Sequence, residues 1–156
     1  MELNPEMLLE SATKVAFDTK VAPCPEGVYT MLISKLDIRT GTNKNGEAYC
    51  MLNVMLEVED QAVREQLGRD KVFVQHSGML DIITDPATGL PKLDDAKGKN
   101  IDLGRIREAC DLNEPKKEFS MNMLLNRLVK GSVTIRTNEE NGDQYAEVKR
   151  GKIIHI

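Results

Sequence analysis

Along this 156-residue sequence, Tyr29, Met31, Lys35 and Arg39 share one side of a strand-like run. Tyr49, Met51, Asn53 and Met55 share one side of a second run, and Phe73 and Gln75 hold the same parity in a third. Cations hold phosphate oxygens, and flat or polarizable groups lie against bases, so a sheet face of this mixture has the chemistry of a single-stranded nucleic-acid platform. Tyr49 and Phe73 are its candidate rings. Arg39, Lys44, Arg136, Lys149, Arg150 and Lys152 fall in expected strands or in the loops joining them, where as a group they could frame a groove. Aromatic residues are only 4% of the chain and tryptophan is absent, which confines stacking to a few positions. The same rings could instead pack beneath helices expected between residues 101 and 130, since amphipathic helices must cover something apolar.

Other chemistries find less to work with. The sequence has no phosphate-cradling Gly-Lys-Ser/Thr loop, no dinucleotide glycine fingerprint, no His-Glu-x-x-His and no Gly-x-Ser-x-Gly elbow. His76 and His155 come from different expected strands, and pairing either with a cysteine would require unsupported zinc-ligand spacing. Asp81, Asp85, Asp94 and Asp95 do not match a calcium loop, which needs oxygens at regular positions and a terminal glutamate. His76 and Ser77 are adjacent, so on a strand they point to opposite faces and make no base–nucleophile pair. The expectation is a protein without catalytic residues, metal or cofactor. Cys24, Cys50 and Cys110 are too few and too scattered for a disulfide framework and read as buried or half-buried thiols.

The formal net charge is −4, which disfavours indiscriminate binding to polyanions without excluding a local cationic field. Residues 1 to 100 hold 11 basic and 16 acidic side chains, net −5, and residues 101 to 156 hold 10 and 9, net +1. The C-terminal part is therefore the better place for an anion. No run approaches the roughly 20 apolar residues of a membrane span, and the opening Met-Glu-Leu-Asn-Pro-Glu lacks the positive start of a signal peptide. A cytoplasmic protein without a membrane partner is expected.

The elements that must position these residues follow from periodicity. Residues 1 to 22 read as an N-terminal arm with a short helix capped by Asn4, and Val21 to Gly27 is broken by Pro23 and Pro25. Residues 23 to 156 read as one domain. A period of two from Val28 places Val28, Thr30, Leu32, Ser34, Leu36 and Ile38 on the core side. Asn45-Gly46 suits a hairpin turn into a second strand whose Ala48, Cys50, Leu52, Val54, Leu56 and Val58 face inward. Strands are expected near 28 to 39, 48 to 58, 70 to 76, 132 to 137 and 144 to 150, with a helical turn at 59 to 68. A polar protruding connection and two helices, one over 101 to 112 and one over 121 to 130, form an insertion around 78 to 130. The fold class is mainly β with a helical insertion, a five-stranded antiparallel OB-like barrel; an open α+β sheet is the alternative.

The order Pro25-Glu-Gly-Val-Tyr29, Thr42 to Tyr49, Leu52 to Val58, Lys130-Gly-Ser-Val-Thr-Ile135 and Asn141 to Lys149 resembles a bacteriophage family of single-stranded-DNA-binding OB-fold proteins encoded with replication or recombination genes. The resemblance covers about residues 23 to 152 and rests on short motifs. It implies sequence-tolerant binding of single-stranded DNA in the cytoplasm of an infected bacterial host, with phage or host replication and recombination proteins as further partners and a homo-oligomer left open. It also implies that Lys44 and Tyr49 serve as the basic and aromatic positions of the first hairpin. Tyr145, Lys149 and Arg150 would serve at the end of the last strand. The sequence ends in Gly151-Lys-Ile-Ile-His-Ile156 in place of the long acidic tail of bacterial single-strand-binding proteins, so recruitment through such a tail is not expected. The other class of function is a phage structural or protein-interaction module without nucleic-acid binding of its own.

Overall fold

The computed structural model describes every residue from Met1 to Ile156. Helix α1, Pro5–Glu10, starts where Asn4 Oδ1 accepts the backbone N–H groups of Glu6 and Met7 at 3.1 and 3.4 Å, and none of its residues is buried. Strands β1, Gly27–Thr42, and β2, Ala48–Val58, form the first hairpin. At its turn Asn43 Oδ1 accepts from the backbone of Asn45 and Glu47, both at 2.9 Å, and Gly46 takes a φ of 77° that a Cβ would strain.

Helix α2, Gln61–Leu67, is capped by Asp60, and β3, Phe73–Leu80, follows it. A small hairpin of β4, Ile82–Thr84, and β5, Pro91–Leu93, leads to helix α3, Ile101–Ala109, and to one 3-10 turn, Met121–Leu124. Strands β6, Leu128–Thr137, and β7, Gln144–Ile154, end the fold as a second long hairpin.

Pairing runs β1-β2-β3-β7-β6 and returns from β6 to β1, so the five-stranded sheet closes on itself. Inside lie Met31, Ile33, Leu52, Val54, Leu56, Val129 and Val148, all buried. Helix α3 packs on β3 and β7 and adds Leu103, Ile106 and Ala109 to the same core.

Five sequence expectations are corrected by these elements. The sheet is mixed, not antiparallel throughout: β3 and β7 run parallel through the pair Gln75 and Glu147. In β1 the core side begins at Met31 and Ile33, and Val28 is exposed. A bulge between Ile33 and Lys35 then switches parity, and Leu36 turns inward. An extra residue on one strand reverses every side chain beyond it, which strict alternation cannot anticipate.

The third strand lies three to four residues later than its expected 70 to 76. The polar connection contains the β4–β5 hairpin, closed where Asp85 N–H donates to Leu90 O at 2.8 Å. The helix expected over 121 to 130 is absent beyond the 3-10 turn. Asn126 adopts a φ of 64° and donates its N–H to Ile33 O at 2.8 Å, and Ile33 N–H donates to Arg127 O at 2.9 Å. The backbone of β1 thus captures this segment, and Val129 goes inward while Leu128 and Lys130 stay outside with period two.

Candidate nucleic-acid interface

Because Leu52, Val54, Val74 and His76 point inward, their neighbours Met51, Asn53, Phe73, Gln75 and Ser77 must point outward. Register places them in rows: Arg39 beside Met51 and Met79, Asp37 beside Asn53 and Ser77, and Lys35 beside Met55 and Gln75. Ser77 Oγ donates to Asn53 Oδ1 at 2.6 Å and holds the middle row together. Arg39, Met51, Asn53, Phe73, Gln75 and Ser77 floor a groove of about 1010 Å³ that continues across β7 to Arg136 on β6. A hollow of about 130 Å³ over Lys35, Asp37 and Met55 shares Arg39, Asn53 and Gln75 with it, which extends the track toward β1.

The groove is lined by Arg39, Arg69, Arg136, Lys149 and Arg150, with Glu147 its one carboxylate. Its cations are held differently. The Arg136 guanidinium lies over the Tyr145 ring at 5.9 Å, and Arg39 Nε is 3.8 Å from Asp37. Arg150 Nε is 3.4 Å from Oδ2 of Asp102, a mostly buried carboxylate that also accepts the Met79 N–H at 3.1 Å. Arg69 donates to Ala22 O at 2.6 Å, and Lys149 makes no ion pair. Phe73 and Tyr145 are 42% and 45% exposed, so both rings are partly open to solvent.

Of the nine cations and rings singled out by sequence, Arg39, Phe73, Arg136, Tyr145, Lys149 and Arg150 meet in the groove, and Lys152 is exposed on β7 outside it. Lys44 and Tyr49 do not line it. Lys44 is exposed in the β1–β2 turn, and the Tyr49 ring lies over Gly41, its cross-strand partner, where a Cβ would come within 2.6 Å of the hydroxyl. The expected platform also loses Tyr29 and Met31. Tyr29 is half-buried with its hydroxyl donating to Pro25 O at 2.9 Å, and Met31 is fully buried.

Sequence reading missed Arg69 and the segment Val21 to Cys24, which walls the groove. Arg69 follows the α2 cap in a loop without periodicity, so no local signal marked it. The segment 21 to 24 is tied down by distant parts of the chain, directly by Arg69 and through the adjacent Lys20 by the β6–β7 turn. Lys20 Nζ donates to Asn141 O at 2.6 Å and to Asp143 Oδ1 at 2.8 Å.

His76 is buried, and its Nδ1 lies 2.6 Å from Val148 O; because the carbonyl can only accept, the ring proton sits on Nδ1. Burial pushes the His76 pKa down, opposed by that hydrogen bond and by Asp102. Burial likewise raises the Cys24 and Cys110 thiols, Cys110 to about 11. No three His, Cys, Asp or Glu side chains converge in an arrangement for a metal ion, and no helix is long and apolar enough to cross a membrane. In comparisons with known proteins, no family model and no curated protein matches the chain.

Proposed function

We propose that this protein binds single-stranded DNA with little regard to sequence, without enzymatic activity, as an accessory of phage replication or recombination in the cytoplasm of the infected host. The observation that carries the binding reading is the groove: five cations and one carboxylate around two open rings, on a chain whose net charge is −4. A local excess of cations releases counterions from a phosphate backbone, and exposed rings supply sequence-tolerant stacking. The strand order, with its floor on β2 and β3 beside the first and last hairpins, supports an OB-like barrel, a fold that binds oligonucleotides on its second and third strands and two flanking loops. The phage role rests on the sequence resemblance alone.

Lys149, Arg136 and Arg69 are the phosphate contacts of this reading, and Tyr145 and Phe73 the stacking rings. Arg150 contributes through its second face because Asp102 already holds its Nε. Fluorescence anisotropy with a mixed-sequence oligonucleotide of about 30 bases, compared with duplex DNA and RNA at low and physiological salt, tests the proposal. Binding of the single strand that weakens as salt rises is expected. No binding by the folded protein at tens of micromolar and low salt would refute it. The protein-interaction reading has its own observation, the exposed Val28, Leu128 and Ile154 on strands outside the groove, and would then lead.

A further inference from the structure

We infer that the N-terminal arm is a second part of the single-strand interface, with Phe17 stacking on a base beyond the groove and Lys14 meeting the phosphate backbone. This rests on the proposed binding of single-stranded DNA. Phe17 is 80% exposed, more than either groove ring, and no element of the domain covers it. It sits in irregular chain, so it has no part in the core.

Its position is set by Lys20, whose ammonium clasps Asp143 and the Asn141 carbonyl in the turn that leads into Tyr145. Phe17 is three residues from this clasp, a reach of roughly 10 Å at full extension, so the ring stays near the groove's end. Lys14 lies three residues to its other side, and Asp18 is the only acid between the two lysines. An exposed ring flanked by cations and tethered beside a cationic groove has the two chemistries that a single strand leaving the groove requires. Helix α1, with its acidic Glu6 and Glu10, precedes this segment and is not part of the proposed contact.

The test compares wild type, Phe17→Ala, Phe17→Tyr and Lys14→Ala in anisotropy titrations with the same oligonucleotide of about 30 bases, beside light scattering for self-association. Phe17→Ala should weaken binding roughly 5- to 150-fold, Phe17→Tyr should retain it, and Lys14→Ala should reduce the salt slope by about 1. All four proteins should unfold at the same temperature, because these side chains are exposed. Wild-type binding that Phe17→Ala leaves unchanged would overturn the inference and leave the groove standing. Loss of self-association in Phe17→Ala at constant DNA affinity would overturn it in favour of a second copy of the chain as the arm's partner. Failure of the wild type to bind would remove both readings.

Discussion

Burial in this fold favours the neutral forms of His76, Cys24 and Cys110. For His76 the causes are desolvation first, with Arg150 reinforcing it and the Val148 hydrogen bond and Asp102 opposing it. In the unfolded chain the ring takes a proton near pH 6.5, and in the folded chain only at lower pH. Between those values the unfolded state binds more protons, so stability falls as pH drops below about 6.5. Urea midpoints at pH 7.5 and 5.5 should differ more in the wild type than in His76→Asn or His76→Gln, whose amides can still donate to Val148 O. Equal pH dependence in all three would show that another group drives it. The thiols give a second readout. Cys24 and Cys110 are buried and shifted upward, whereas Cys50 is half-buried, so a thiol reagent at pH 8 should modify Cys50 first and all three only after unfolding. Rapid labelling of all three in the native protein would contradict the packing described.

Between elements, the least yielding contact tested by a single atom is where β3 meets α3. A Cβ on Gly78 would lie 2.9 Å from the Asp102 Cβ, close to the helix backbone, so α3 must move to admit it. Gly78→Ala should destabilise by about 1 to 3 kcal/mol, as overpacking does elsewhere. Moving Asp102 would also loosen its hold on Arg150 and on the Met79 N–H. At Gly41 a Cβ would be still closer, 2.6 Å, but to the hydroxyl of Tyr49, the far end of a ring that can swing toward solvent. Gly41→Ala should therefore cost less than Gly78→Ala in thermal unfolding, and the reverse order would refute this account of the two contacts. The clasp between Lys20 and the β6–β7 turn is exposed and adds little stability by itself, since surface ion pairs contribute about 0 to 1 kcal/mol. Its consequence is positional: it ties the arm to the groove's rim.

For the whole molecule, the groove sets an uneven field on an acidic protein. Arg39 comes from β1, Arg69 from the loop before β3, Arg136 from β6, and Lys149 and Arg150 from β7. If this field binds a single strand, Lys149→Ala should lower the salt slope by about 1 and weaken binding alike for all sequences. Lys44→Ala, in a turn outside the groove, should change the slope less. Anisotropy over a salt series separates them, and an equal loss from both would place the first hairpin in the interface after all.

The period-two runs and the turns at Asn45-Gly46 and Asn141-Gly142 are local properties of the chain, so sequence alone determined two long hairpins, the β2 core face and a mainly β class. It also marked six of the groove's seven cations and rings, because such residues outside a core face are legible as types. What it could not determine depends on contacts between distant segments. The bulge in β1 decides which half of that strand faces inward, and the backbone of Ile33 draws residues 126 and 127 into pairing before a helix can extend there. The parallel contact of β3 with β7 exists only when the sheet closes. That closure brings Arg69 and the segment 21 to 24 to the same groove as Lys149, because neighbours across a closed sheet are set by register and not by order along the chain, whereas Tyr49 stays outside the groove at the turn end of the first hairpin, packed over Gly41.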